Sequence, residues 1–170
     1  MLFRSEPEPQ VTAFGRLRGV DGKRMSKSLG NTIMLAEEPQ GIADKVKLAY
    51  TDPKKLRLAD PGRPEADDSD GHPGCVVWEY HRRFNPAEAD AIATQCRAGQ
   101  LGCVADKKRL AEVMNTELAP IRERRQRWEK DPDAVRDVLR EGTKRAREVA
   151  RETMEAVRSA MGVKSVVEPQ

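Results

Sequence analysis

Gly19-Val20-Asp21-Gly22-Lys23-Arg24-Met25-Ser26-Lys27-Ser28-Leu29-Gly30-Asn31 is the stretch on which the reading of this 170-residue sequence turns. Lys23, Arg24 and Lys27 stand beside the hydroxyls of Ser26 and Ser28 in a segment punctuated by Gly19, Gly22 and Gly30. Glycine lets a backbone bend and approach a ligand closely. Lysine brings a movable point charge and serine bonds oxygens. Those properties hold a polyphosphate. They also describe a solvated basic turn, and residue chemistry alone leaves the two readings level. The segment is not a Walker A loop, because the Gly-x-x-x-x-Gly-Lys-Ser/Thr spacing is missing.

Residues 1–36 read as extended and loop-rich. Val11-Thr12-Ala13-Phe14 and Thr32-Ile33-Met34-Leu35 are short strand-like or buried runs on either side of the loop. Two such pieces are too little for an independent sheet and look like edges of a larger one. Ile42, Val46 and Tyr50 then recur at helical spacing, which predicts a helix over 39–50 that Asp52-Pro53 ends. Between Asp52 and Gly74 lie four prolines, three glycines and six acidic residues, a polar connection expected to be mobile.

Cys75–Phe84 carries Trp78, Tyr80 and Phe84 and is expected to anchor the core. Asn85-Pro86-Ala87-Glu88 is a helix-start signature, in which Asn85 accepts from the backbone and Glu88 reaches back; this helix stops near Gly99. Leu110, Met114, Leu118, Ile121 and Trp128 make one stripe of a long helix that Pro120 is expected to bend. Asp131 caps and Pro132 opens a second, striped by Val135, Leu139, Gly142, Ala146, Val149, Val157 and Ala160 and ended by Gly162. Gly142 inside a helix costs about 1 kcal/mol against alanine, so a close helix contact is expected there.

The totals agree with a helical protein. Apolar residues make up 38% and aromatics 4%, against 35% charged residues, which favours long solvated helices over a thick sandwich. A net charge of +3, from 31 basic and 28 acidic residues, does not by itself announce a nucleic-acid binder. No run approaches the roughly 18 apolar residues of a membrane span, and Met1-Leu2-Phe3-Arg4-Ser5-Glu6 lacks a signal-peptide pattern. No membrane partner is therefore expected. Three cysteines without an export signal point to a reducing cytoplasm, as free thiols or metal ligands.

Arg24-Met25-Ser26-Lys27-Ser28 resembles the Lys-Met-Ser-Lys-Ser signature of class I aminoacyl-tRNA synthetases, with Arg24 in place of the first lysine. The similarity continues through Leu29-Gly30-Asn31-Thr32-Ile33, Lys45-Val46-Lys47-Leu48-Ala49-Tyr50-Thr51-Asp52-Pro53 and Asp60-Pro61-Gly62-Arg63-Pro64. Further on, Leu118-Ala119-Pro120-Ile121-Arg122-Glu123-Arg124-Arg125 and Ala146-Arg147-Glu148-Val149-Ala150 are similar to the tryptophan-specific, bacterial branch. The resemblance implies the C-terminal part only. The fold expected is mainly α, a helical, anticodon-binding-type domain over 75–163 attached to the last part of a class I α/β nucleotide-binding fold over 1–51. Residues 52–74 form the connection and 164–170 a tail.

What the resemblance implies chemically is ATP-dependent activation of tryptophan and its attachment to tRNA. ATP, with magnesium on its phosphates, would meet Lys23, Arg24, Met25, Ser26, Lys27 and Ser28. Lys27, assisted by Lys23, would stabilise departing pyrophosphate. The family's other ATP signature and its tryptophan pocket precede this loop and match nothing here, so adenylation by these residues alone is not expected. The resemblance also implies a homodimer in full-length members.

In some members four cysteines near the anticodon-reading region hold an iron–sulfur cluster. Cys75, Cys96 and Cys103 are similarly spaced, with Asp106 in the fourth place, so the resemblance implies a cluster or zinc on these four residues. Ordinary buried thiols are the alternative. Arg122–Lys130 holds five cations and two anions. By resemblance, Arg122, Arg124, Arg125 and Arg127 are expected to touch tRNA, where guanidiniums grip phosphates and stack on bases. Two rival readings remain: a non-catalytic tRNA-binding module or paralogue, and a helical interaction protein with a relic loop.

Overall fold

The structure, a computed structural model, describes residues 8–12 and 15–163. Within them are five α-helices: α1 (Pro39–Lys47), α2 (Val76–Phe84), α3 (Pro86–Arg97), α4 (Cys103–Glu129) and α5 (Pro132–Met161). The described residues hold no β-strand, only isolated bridges between Arg18 and Arg24 and between Asp67 and His72. The mainly α expectation therefore holds. The chain forms one compact unit over Val11–Arg125 and a second that runs from Gln126 onward.

The first unit is built where the apolar residues of α1, α2 and α4 converge. Ile42 and Val46 from α1, Val76, Val77 and Tyr80 from α2, and Leu110, Met114 and Leu118 from α4 are all buried in one cluster. Val20, at the base of the loop, joins them, and Met25 and Ile33 pack against the outside. Polar ties follow the same lines. Lys45 Nζ donates to the Thr32 carbonyl (2.9 Å), Lys107 Nζ to the Lys47 carbonyl (3.0 Å) and Asn115 Nδ2 to the Pro39 carbonyl (3.2 Å). The first ties α1 to the segment before it, and the other two tie α4 to the two ends of α1. Trp78 Nε1 donates to the Ala89 carbonyl (3.1 Å) and so links α2 to α3.

Several local expectations change. Ala13, Phe14 and the 164–170 tail lie outside the described residues. Thr32–Leu35 is not a strand: Ile33 packs on the core while Leu35 is exposed, and no described strand lies alongside to pair with it. Asn85 does not cap α3 with its oxygen. Its Nδ2 donates to Glu88 Oε2 (2.5 Å) instead, so the Asn–Glu pair closes side chain to side chain.

The polar segment 52–74 is fastened rather than loose. Asp52, 5% exposed, accepts from Arg63 Nε (2.9 Å), Arg63 Nη2 (2.8 Å) and the Lys54 and Arg63 amides. Arg63 also donates to Asp70 Oδ2 (2.7 Å), while buried His72 makes a bond of 2.9 Å with the Arg63 carbonyl. A fork of guanidinium donors shared between two carboxylates offsets the cost of ordering a proline-rich segment. Backbone bonds from Gly62 N–H to the Cys96 carbonyl (2.9 Å) and from Cys75 N–H to the Pro64 carbonyl (2.8 Å) close both flanks.

In the second unit α5 starts and stops as its sequence predicts. Asp131 accepts from the Ala134 amide (3.0 Å), Pro132 is the first helical residue, and Gly162 closes the end in the left-handed region (φ 67°). Its apolar stripe is on the surface: no α5 residue is buried, and Val138, Leu139 and Val149 are all exposed. The close contact expected at Gly142 is not there, since a Cβ would meet nothing within 4 Å. Two pairs one turn apart, Arg136 with Asp133 and Arg140 with Asp137, line its exposed side.

The Asp52–Arg63 pair contributes to the acid stability of the first unit. The Arg63 guanidinium holds the Asp52 carboxyl down at about 2, from an ordinary value of 3.8. A depressed folded-state value stabilises above the ordinary value, and the contribution fades as pH falls from about 4 towards 2. It amounts to about 2 kcal/mol. Asp52→Asn is expected to lower the melting temperature at pH 7 and to flatten its fall between pH 4 and 2. Parallel melting curves for both proteins across that window would contradict the assignment.

Candidate functional site

The loop is held in shape by its two ends. Val20 N–H donates to the Asn31 carbonyl (3.0 Å), and the Val20 carbonyl accepts from Tyr50 N–H (2.7 Å), where the chain leaves α1. Gly19 N–H donates to the Lys23 carbonyl (2.8 Å) and Gly22 N–H to the Gly19 carbonyl (2.9 Å), closing a tight turn. Gly22 has φ 80°, and its Cα faces the Tyr50 ring, so glycine is needed there for conformation. Below the turn, Tyr80 Oη donates to the Arg18 carbonyl (2.8 Å). Arg18 Nε pairs with Glu79 Oε2 (2.5 Å).

On this frame the second half of the loop forms a single 3-10 turn over Lys27–Leu29, ended by Gly30 at φ 65°. Lys23, Arg24, Lys27 and Ser28 are exposed and Ser26 is half-buried. The Ser26 and Ser28 hydroxyls lie 2.9 Å apart. Among the described residues the Lys27 ammonium and the Arg24 guanidinium have no carboxylate or carbonyl partner. Two cations and two adjacent hydroxyls thus share one exposed turn. Met25 belongs to the same signature but points the other way, packing against the core.

Three residues that shape the loop escaped the sequence reading. Asn31, 3% exposed, spans the loop from inside, and Asp21 receives it. Tyr50 closes the underside. Nothing in the local sequence pairs Asp21 with Asn31 across ten positions, because the turn that joins them exists only once Val20 is buried.

Cys75, Cys96, Cys103 and Asp106 are brought together, with Asp52, Lys55 and Arg63, around one cavity of about 20 Å³. That volume takes about one water molecule. The metal expectation is not met by this arrangement, since no three His, Cys, Asp or Glu side chains among the described residues could hold a metal ion. Asp106 Oδ1 lies 3.2 Å from Nε2 of fully buried His81. Burial pushes the Cys75 thiol up to about 11, so it stays protonated at neutral pH. These residues do not fit a cluster, and no step below uses one.

The arginines expected to meet RNA have different environments. Arg122 is built into the fold, its Nη2 donating to the Asn115 carbonyl (2.9 Å) and its Nη1 to the Glu37 carbonyl (3.4 Å). Arg124 and Arg125 are exposed on α4 in the first unit, and Arg127 is exposed on the same helix in the second. A cavity of about 750 Å³ is lined by Arg16, Arg18, Trp78, Arg82, Phe84 and Leu118 among others, and by none of residues 19–31.

Thiol chemistry gives a direct check of the cavity. Cys75 is buried, whereas Cys96 and Cys103 are half-buried. With a maleimide at pH 7, peptide mapping is expected to find Cys96 and Cys103 modified at least about tenfold faster than Cys75. Equal rates at all three would contradict the burial of Cys75.

Comparison with known proteins places these features in a family. The family described as tRNA synthetases class I (W and Y) matches residues 3–119. The tryptophan–tRNA ligase of Aquifex aeolicus is 40% identical over 160 residues, covering 93% of this chain and 38% of the relative. That of Thermotoga maritima is 41% identical over 160 residues, covering 93% and 46%. Among solved structures, the tryptophanyl-tRNA synthetase of Campylobacter jejuni complexed with ADP and tryptophan superposes with a TM-score of 0.70 at 23% identity. It covers 89% of this chain and 44% of that one, and shows likeness of fold. The chain spans less than half the length of the curated relatives it matches.

Proposed function

The chain belongs to the class I tRNA synthetases of the tryptophan and tyrosine branch, and on that premise we propose that it serves the ATP-dependent ligation of tryptophan to tRNA, supplying the loop that receives the polyphosphate and helices that meet the tRNA. The observation that carries this reading is the pairing of a fixed loop backbone with Lys27 and Arg24, whose charged groups have no carboxylate or carbonyl partner among the described residues, beside the Ser26 and Ser28 hydroxyls.

In the reaction, the tryptophan carboxylate attacks the α-phosphorus and the bond to the bridging oxygen breaks. Negative charge then gathers on the departing pyrophosphate. A cation that meets this charge as it develops lowers the barrier more than one that binds ATP equally tightly throughout. Lys27 has a flexible stem and a compact charge, which suits a group that must follow a leaving ion. Lys23 and Arg24 add positive field at the same edge, and the serine hydroxyls can bond phosphate oxygens. Magnesium, which the family implies, comes with the nucleotide: the loop's one carboxylate, Asp21, is turned onto Asn31 and the Lys23 amide and offers no ligand cluster.

For the RNA, Arg124, Arg125 and Arg127 are the candidate phosphate or base contacts, while Arg122 supports the helix that presents them. Iron–sulfur or zinc chemistry forms no part of the proposal.

Two measurements test it. Lys27→Ala is expected to weaken binding of inorganic pyrophosphate to the chain about tenfold to a hundredfold by calorimetry, as for a charge-assisted contact. Unaltered affinity would remove Lys27 from the mechanism. Replacing Arg124, Arg125 and Arg127 together by alanine should weaken binding of tryptophan tRNA and reduce the slope of log affinity against log salt by about 2 to 3. An unaltered slope would leave α4 without an RNA role.

A further inference from the structure

We propose that Asn31 is the positioning residue of the loop, a buried amide latch that sets the register in which Lys23, Arg24, Ser26 and Lys27 are displayed, with Asp21 as its keeper. The inference rests on the polyphosphate reading for its purpose, but its geometry stands independently. Both amide hydrogens of Asn31 are committed: Nδ2 donates to Asp21 Oδ1 (2.9 Å) and to the Arg24 carbonyl (3.0 Å). Its Oδ1 accepts from the Ser26 amide (2.8 Å), and its own backbone carbonyl accepts from Val20 N–H (3.0 Å). One side chain therefore joins the entry of the loop at Asp21 to its centre at Arg24 and Ser26. All of these partners belong to the loop itself.

The chemistry demands an amide. Two donors must face the Asp21 carboxylate and the Arg24 carbonyl while an acceptor faces Ser26. Aspartate at 31 would set a carboxylate against both acceptors, and serine is too short to span them. Asp21 is prepared for its part, since the Lys23 backbone amide and the Asn31 side chain hold its carboxyl below the usual range. Gly19 makes room. A Cβ there would overlap Nδ2 and Cγ of Asn31, so this glycine is required for close approach, its φ not being left-handed. An unpaired buried amide is costly, so the loop closes in the one register that satisfies it.

The latch makes the loop's charges preorganised rather than floppy. Lys27 keeps its side-chain freedom, but the backbone from which it extends does not drift. This separates two tasks along thirteen residues: Asn31 and Asp21 fix the backbone, and Lys23, Arg24 and Lys27 carry charge.

Amide hydrogen exchange on the full chain tests the latch, read at Gly19, Gly22, Leu29 and Gly30, whose amides do not touch the Asn31 side chain. Asn31→Ala is expected to speed exchange at these sites about tenfold, with the core amides of Val46, Val77 and Leu110 unaltered. Gly19→Ala, which displaces Asn31 without changing its chemistry, should reproduce the effect. Asn31→Asp should be as damaging, and adding Asp21→Asn, which reverses donor and acceptor, should recover part of the protection. Inorganic pyrophosphate should bind about tenfold more weakly to Asn31→Ala and regain affinity in the reversed pair. Native exchange in both Asn31→Ala and Gly19→Ala overturns the latch. So does faster exchange with pyrophosphate affinity kept, because the loop's order would then not position its cations. If the unaltered chain binds no pyrophosphate while exchange responds as described, the latch stands and the polyphosphate reading falls.

Discussion

Burial of Val20 is the constraint from which the rest of the first unit follows. Its side chain enters the cluster formed by α1, α2 and α4, its carbonyl takes the Tyr50 amide, and its own amide is taken by the Asn31 carbonyl. One residue thereby fixes the loop's entry, its exit and the turn between α1 and the connection that follows. With both ends clamped to a packed core, the thirteen residues between Gly19 and Asn31 have few ways to close. A flexible basic segment becomes a shaped one, and cations on a shaped loop can be aimed.

The same economy governs residues 52–74. A run rich in proline and acidic residues has little to bury, so its order comes from charge. Arg63 serves Asp52 and Asp70 together, and His72 lies against the Arg63 carbonyl. Because Asp52 and His72 are buried, these bonds work away from water, where leaving any one unmade is expensive. The segment carries the chain from α1 to α2 and brings Cys75 beside the half-buried Cys96 and Cys103. Asp106, 3.2 Å from buried His81, lines the same small cavity as those thiols.

Much of this was legible in the sequence, and the remainder was hidden for identifiable reasons. Periodicity and caps located α1, α3, α4 and α5, while α2 was read only as a core-anchoring stretch; Asp131, Pro132 and Gly162 mark α5 to the residue. The loop's basic and hydroxyl residues were readable as a polyphosphate holder, and their likeness to the class I signature decided between that and a plain turn. The latch was not readable, because Asn31 and Asp21 meet only through tertiary closure. Burial of the connection was missed since composition reports polarity, not the pairing of Arg63 with Asp52. At Gly142 the error was one of inference: a glycine in a helix was taken to mean a close neighbour, and the position is open. The metal expectation came from the family resemblance, and no group of three His, Cys, Asp or Glu side chains placed to hold a metal forms among the described residues.

On the proposed reading Gly19–Asn31, and not simply any basic surface of the chain, receives a polyphosphate. α5 provides the internal rival, since Arg136, Arg140, Lys144, Arg147 and Arg151 recur along one side of it. A titration of the isotopically labelled chain with inorganic pyrophosphate, followed by amide ¹H–¹⁵N correlation spectra, separates the two. The account predicts saturable shifts confined to the amides of Gly22–Ser28 and their supports at Asn31 and Tyr50. Shifts confined to residues 136–151, with the loop unmoved, would contradict it.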